Sequence, residues 1–134
     1  MSFLLDTNVV SELARPLPNP KVLAWFEHLT ELRVSAITIE ELAYGVARAR
    51  PRERRRLQRW FEALLAATHE IVAVDGTIAQ LAGELRAARA ATGRTVAQAD
   101  MLIAASALRS AHTLVTRNTK DFAGCGVALL DPFG

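Results

Sequence analysis

The chain has one cysteine in 134 residues, Cys125, so no internal disulfide framework can form. No paired Cys or His spacing suggests a structural zinc site, and a reducing cytosol is the compartment that fits. The three histidines, His28, His69 and His112, stand isolated, with no spacing that implies a shared metal. An acid at position 6 comes too early for the apolar region of a signal peptide. The longest strongly apolar helical segment, MLIAASAL, is too short to cross a bilayer. The expectation is a cytoplasmic protein, neither secreted nor membrane-spanning.

Several chemistries lack their signatures. There is no G-x-x-x-x-G-K-S/T phosphate loop, no G-x-G-x-x-G, no H-E-x-x-H and no G-x-S-x-G. Ser35 and Ser106 have no evident base, and Cys125 sits among glycines without a paired histidine, which argues against nucleophilic catalysis. No linker-like tract of Pro, Gly and Ser divides the sequence, and no repeat is visible. Residues 1–134 therefore read as a single domain.

A hydrophobic content of 51% with 22% charged residues belongs to a chain that packs a core, although aromatics are few at 6%. Five short runs rich in β-branched or aliphatic residues recur: FLL at 3–5, RVSAI at 33–37, EIVAV at 70–74, TLVT at 113–116 and VALL at 127–130. Helical patterns lie between most of them, which predicts an α/β fold with a parallel sheet covered by helices. Pro20 opens KVLAWFEHL, where Val22, Trp25, Phe26 and Leu29 follow helical spacing. Leu57, Trp60, Phe61, Leu64 and Leu65 do the same in a second helix, and the aromatics of both helices are expected in the core. Asp75 can cap GTIAQLAGELRAARAA, running to Gly93, and Thr95 with Gln98 makes a capping-box pattern before ADMLIAASALRS. That last helix is apolar on nearly every side and should be buried.

Formal net charge is only +2, yet the segment Arg48 to Arg59 holds seven Arg and one Glu, leaving −4 for the rest. Such a cluster serves either as solvated helix surface or as a phosphate-binding face.

Four acids stand apart from ordinary surface charge. Asp6 ends the first strand, and open α/β sheets bind ligands outside the carboxyl ends of their strands. Capping of a short helix NVVSELA by Asp6 or Thr7 is the alternative use. Asp100 shares a helix face with Ile103, Ala104, Ala107 and Leu108, so it should be partly buried, where a carboxylate needs a cation, a metal or donors. A salt bridge with an arginine elsewhere or an interaction with the helix N-terminus is the structural alternative to a functional role. Glu41 lies in SAITIEELAYG, next to Glu40, and Thr38-x-x-Glu41 also reads as a capping box. Gly45, one turn later, either leaves room for something to approach Glu41 or permits close helix packing. Asp121, with Asn118, follows the strand TLVT, where a turn could use both residues for its own backbone.

Two strand ends and two helix starts can thus supply four acids to one cleft. Without a cation they would repel one another and raise each other's pKa values. A hard ion such as Mg²⁺ or Mn²⁺ resolves that conflict, and the chemistry suggested is attack of metal-activated water on a phosphodiester.

The segments FLLDTNVVSEL, SAITIEELAYGV, ADMLIAASAL, TLVTRNTKDF and VALLDPF, in that order, resemble the PIN-domain ribonucleases, and among them the VapC toxins of toxin–antitoxin pairs in the FitB-like branch. The resemblance runs over essentially the whole chain. It implies a three-layer α/β/α domain with a central, mainly parallel five-stranded sheet. It also implies an acidic quartet at Asp6, Glu41, Asp100 and Asp121, which selects Glu41 over Glu40. Metal would be held by Asp6, Asp100 and Asp121, with Thr7, Asn8, Thr116 and Asn118 lining the site or supporting its acids. The family cuts RNA with Mg²⁺ or Mn²⁺ and forms dimers. Its members are silenced by a VapB-like antitoxin whose tail occupies the toxin groove and whose other domain binds operator DNA. In that light Arg48, Arg50, Arg52 and Arg55 become candidates for an RNA or antitoxin surface.

Two other readings compete. One is a non-catalytic nucleic-acid-binding module that uses the arginines while the acids serve as caps. The other is a phosphotransfer enzyme with Asp6 as nucleophile, but DTN lacks the second acid that a D-x-D pattern would place at Asn8.

Overall fold

Asp6 leaves the end of a strand only three residues long, and the whole architecture is built to hold that strand in the middle. A computed structural model describes residues 1–134. In chain order the elements are β1 (Phe3–Leu5), α1 (Thr7–Leu13), α2 (Pro20–Glu27), β2 (Leu32–Ser35), α3 (Ala36–Arg48) and α4 (Pro51–Ala67). They continue with β3 (Thr68–Val72), α5 (Gly76–Ala91), α6 (Gln98–Arg109), β4 (Thr113–Val115), α7 (Thr119–Phe122) and β5 (Leu129–Leu130).

Every strand pairing is parallel. β4 pairs with β1 on one side and β5 on the other, and β2 pairs with β3. β1 and β2 lie side by side without a ladder between them, so the layer reads β3-β2-β1-β4-β5 but hydrogen-bonds as two sheets of two and three strands. Helical connections between parallel strands are what such a sheet requires.

Successive strand residues point to opposite faces, and the core divides accordingly. Leu4, Val72 and Leu114 face α5 and α6, packing with Ile78, Met101, Ile103 and Phe122. Leu5, Val34 and Val115 face the other way, against Val9 and Val10 of α1, Val22 of α2, Leu42 of α3 and Leu64 of α4. Three layers result, with the strands between two helical sheets of side chains. Helix α6 is buried from Met101 to Ala107 apart from Leu102, as its composition predicts.

Several boundaries differ from expectation. The run RVSAI ends as strand at Ser35, because the Ser35 hydroxyl accepts the Ile37 N–H at 3.2 Å and starts α3 there. Strand β3 comes two residues earlier than EIVAV, β4 stops at Val115 and β5 keeps only Leu129 and Leu130. Helix α2 ends at Glu27, short of Leu29. Helix α5 ends at Ala91, where Gly93 takes φ +80° and Arg94 donates its N–H to Arg89 O at 3.1 Å. Such a left-handed turn closes a helix most readily with glycine. Asp75 caps α5 by accepting the Ile78 N–H at 2.9 Å, but α6 begins after Ala97 with no side-chain cap, so Thr95 and Gln98 form no capping box. Trp25, Phe26, Trp60 and Phe61 pack against the core as partly buried residues, as expected, while Leu65 is 37% exposed.

Candidate active site

The Asp6 backbone N–H donates to Val115 O at 2.9 Å, extending the β1–β4 ladder one residue and setting where the side chain leaves the sheet. The residue is only 3% exposed. Its Oδ1 accepts the Thr7 N–H at 2.7 Å, capping α1, so capping and placement in the cleft are one feature. Its Oδ2 accepts from Thr116 Oγ1 at 2.8 Å and from Asn8 Nδ2 at 3.3 Å. Burial pushes the Asp6 carboxyl up to about 6; the Thr116 and Thr7 hydrogen bonds oppose the rise, and Asp100 and Glu41 add to it.

Glu41 lies in the second turn of α3, which begins at Ala36, so Thr38 and Glu41 are inside the helix and form no capping box. Its Oε1 accepts from Thr7 Oγ1 at 2.7 Å. The Thr7 hydroxyl also lies 3.0 Å from that of buried Thr38. Thr7 gives its one hydroxyl hydrogen to the carboxylate, which leaves Thr38 as the donor between the two threonines. Neighbouring Glu40 is exposed and lines no part of the cleft.

Asp100 sits in the first turn of α6, half-buried, and enters no ion pair. Burial raises its pKa, and the charges of Glu41 and Asp121 raise it further. The arginine partner that could have explained it structurally is absent. Asp121, in α7, is close enough to act on Asp100, but its own carboxylate pairs with Arg94 at 3.4 Å and it does not line the cleft wall.

Asp6, Thr7, Asn8, Ser11, Glu12, Arg15, Glu41, Asp100 and Asn118 surround an open cleft of about 530 Å³ without a hydrophobic side chain among them. Thr116 stands behind it, fully buried. Besides donating to Asp6, its hydroxyl accepts the Asn118 N–H at 3.0 Å, while Asn8 Oδ1 takes the Arg117 N–H at 3.3 Å. Thr7, Asn8 and Asn118 are therefore on the wall, and Thr116 is the support that ties Asp6 to the segment after β4.

Glu12 is a fourth carboxylate lining the cleft, one that the sequence patterns did not single out. The Asn19 N–H at 2.8 Å and the Arg15 guanidinium hold it below the usual carboxylate range. The signal was present: Asn8, Ser11 and Glu12 recur at helical spacing on one face of α1, and Arg15 continues the spacing just past its end.

A second cavity of about 300 Å³ adjoins the first, sharing Ser11, Arg15 and Glu41, and continues over Leu42, Gly45, Val46, Leu57 and Trp60. A Cβ on Gly45 would meet nothing within 4 Å. Close helix packing therefore does not account for the glycine, and the space beside Glu41 is open.

The arginine segment divides. Arg48 ends α3 and donates to the Tyr44 hydroxyl at 2.8 Å, while Arg56 reaches Ala14 O at 2.8 Å and docks α4 on α1. Arg54 caps the end of α3 through Ala49 O at 3.0 Å. Arg50, Arg52 and Arg55 are exposed, and neither they nor Arg48 line either cavity.

In the tail, Asp131 Oδ1 accepts the Phe133 N–H at 2.8 Å, a turn that Asn could make equally. No helix is long and apolar enough to cross a membrane.

Residues 3–124 match the sequence model of the PIN domain. The chain is 36% identical over 137 positions to Toxin FitB of Neisseria gonorrhoeae, covering 97% of each sequence. It is 33% identical over 136 positions to VapC ribonuclease Y4jK of Sinorhizobium fredii, covering 97% of this chain and 96% of that one. The crystal structure of FitAcB from Neisseria gonorrhoeae superposes with a TM-score of 0.90 at 35% identity, over 98% of both chains. The VapBC2 structure from Rickettsia felis, bound to a promoter DNA fragment, superposes with a TM-score of 0.84 at 27% identity, over 97% of this chain and 98% of that one. With a match across almost its full length and relatives this similar, the chain belongs to the PIN-domain family, in the branch of the VapC and FitB toxins.

Proposed function

We propose that the protein is an endoribonuclease toxin that hydrolyses phosphodiester bonds in single-stranded or loop RNA with the help of Mg²⁺ or Mn²⁺. One observation carries this reading: Asp6, Glu41 and Asp100 face a single polar cleft, and none of the three has a protein cation as partner. Carboxylates gathered in this way call for an external positive charge. The donors are all oxygens, as Mg²⁺ and Mn²⁺ prefer. No group of three or more acids closes around one point, so an ion here would be held by one or two carboxylates and completed by water. The residues present fit such an ion. Asp6 and Asp100 would hold it, with Asp121 acting from the rim through a bound water.

When bound, a divalent ion supplies positive charge to the scissile phosphate and makes water a stronger acid. The protein's own contribution is placement. Thr116 and Thr7 fix both oxygens of Asp6, and Thr7 fixes Oε1 of Glu41, leaving Oε2 to accept a hydrogen bond from the attacking water. Substrate specificity falls to unpaired RNA because its backbone can enter an open cleft with bases splayed away.

Arg50, Arg52 and Arg55 offer exposed guanidinium groups for RNA phosphates or for acidic antitoxin side chains, with Arg48 at their edge beside Tyr44. Solved relatives include FitAB bound to a DNA fragment and DNA-bound VapBC from Salmonella typhimurium. By analogy this chain would pair with a VapB-like antitoxin, touch operator DNA only through it, and work as a homodimer or a larger assembly with the antitoxin. The cavity beside Gly45 would seat part of the antitoxin.

The test is cleavage of a mixed single-stranded RNA pool by antitoxin-free wild type and Asp100→Asn, each in Mn²⁺ and in EDTA. Cleavage by wild type in Mn²⁺ alone is expected. Equal cleavage by the variant, or undiminished cleavage in EDTA, overturns the assignment, and binding without turnover favours a non-catalytic module.

A further inference from the structure

Asp121 is the quartet member that the sheet and long helices do not place directly. It lies in α7, a helix of four residues, beyond the end of β4. What holds that short segment is found at its two ends.

At the first end, the Asn118 N–H donates to Thr116 Oγ1 at 3.0 Å, and the same hydroxyl donates to Asp6 at 2.8 Å. In the middle, Phe122 is driven into the core and is 1% exposed. At the far end, the Arg89 guanidinium from α5 donates to three backbone carbonyls: Lys120 O at 3.3 Å, Asp121 O at 3.1 Å and Ala123 O. Carbonyls at a helix end have no partner within the helix, and one planar guanidinium can serve several of them at once. Gly124 is shaped to this contact. It takes φ +86°, and a Cβ there would lie 3.1 Å from Arg89 Nη1. The backbone conformation makes a side chain there strained, and the guanidinium would have to shift to admit one.

We propose that Arg89 is a positioning residue for Asp121: by clamping the carbonyls of residues 120, 121 and 123 it holds the Asp121 carboxylate at the rim of the acidic cleft. The inference rests on the metal-dependent nuclease reading for its consequence in catalysis, but the clamp itself is independent of it. Arg89 does not line the cleft and so acts only through Asp121. A lysine would keep the charge yet present a single nitrogen, unable to span three carbonyls.

The sole thiol makes the clamp measurable without metal. Cys125 directly follows Gly124, is buried, and ties back through its N–H to Phe122 O at 3.1 Å. In the full chain, Arg89→Ala is expected to speed reaction of Cys125 with Ellman's reagent by about tenfold or more, with Arg89→Lys intermediate. Mn²⁺ affinity, read by calorimetry, should fall in Arg89→Ala about as far as in Asp121→Asn, and the double variant should be no weaker than Asp121→Asn alone. A purely structural role would instead lower the melting temperature and add to the Asp121→Asn loss. Wild-type thiol reactivity in Arg89→Ala, or additive losses of Mn²⁺ affinity, would overturn the proposal. If alanine unfolds the protein, Arg89→Lys carries the same comparison. If wild type binds no Mn²⁺ and cuts no RNA, the nuclease reading fails, while the thiol rates still decide whether Arg89 holds the segment.

Discussion

Thr7 joins Asp6 to Glu41: its N–H donates to Asp6 Oδ1 at 2.7 Å and its hydroxyl to Glu41 Oε1 at 2.7 Å. A residue adjacent to one acid thereby sets the orientation of another, 34 positions later in the chain. Thr7→Val keeps the shape and the backbone donor but leaves Glu41 without the hydroxyl. A hydrogen bond to a charged group contributes about 1.5–3 kcal/mol, so RNA cleavage should fall about tenfold or more in kcat, with Thr7→Ser close to wild type. Equal rates for Val and Ser would show that Glu41 needs no such support.

The Asp6 carboxyl, raised from 3.8 to about 6, holds its proton more tightly in the folded chain than in the unfolded one. Stability contributed by that group is therefore present at low pH and lost as pH rises from about 4 through 6. Asp100, raised in the same direction, adds to the trend. In EDTA, Asp6→Asn should gain on the order of 2–3 kcal/mol over wild type between pH 4 and pH 8, measured by urea unfolding. Parallel pH profiles for the two proteins would contradict the burial of a strained carboxylate. In the metal-free chain Asp6 takes up its proton near pH 6, so Mn²⁺ affinity should fall as pH drops through that range, as calorimetry at several pH values would show.

Gly45 occupies a helix interior with open space beside it. Gly45→Ala should stabilise the fold by about 1 kcal/mol, since alanine restricts the unfolded chain and no atom obstructs its methyl group. Gly45→Leu would instead fill the cavity of about 300 Å³ and should weaken capture of the antitoxin while the protein remains folded. Undiminished antitoxin affinity in a fluorescence titration would move its seat elsewhere.

Arg50, Arg52 and Arg55 are exposed on the loop and first turns after α3. Each that meets an RNA phosphate should, when replaced by Gln, reduce the slope of log affinity against log salt by about 0.7. Measurement in an Asp100→Asn background separates binding from cleavage. Unchanged slopes with a weakened antitoxin complex would assign the surface to the antitoxin instead. Arg48 should matter less, because its guanidinium is already engaged by Tyr44.

Much of this was legible along the chain because it depends on neighbours in sequence. The five apolar runs marked the strands, the all-apolar face of MLIAASAL marked the buried helix, and Asp75 capped the helix it precedes. The resemblance to PIN domains selected Glu41 over Glu40, and the structure places Glu41 on the cleft and leaves Glu40 in solvent. Capping was less readable. Thr38 and Thr95 had the right pattern, yet the Ser35 hydroxyl caps α3 and α6 begins after Ala97 with no side-chain cap at all.

Local chemistry alone determines that this chain builds an α/β domain and that an acid ends its first strand, since alternation, helical spacing and capping act over a few residues. Only folding decides that Asp6 and Glu41 share Thr7, that Asp100 has no arginine, that Glu12 joins the cleft and that Arg94 and Arg89 hold the Asp121 segment. Those relations join residues between 27 and 110 positions apart where they cross elements, as Arg94–Asp121 and Thr116–Asp6 do. Their strength comes from burial and distance, and neither exists until the parallel strands bring the segments together.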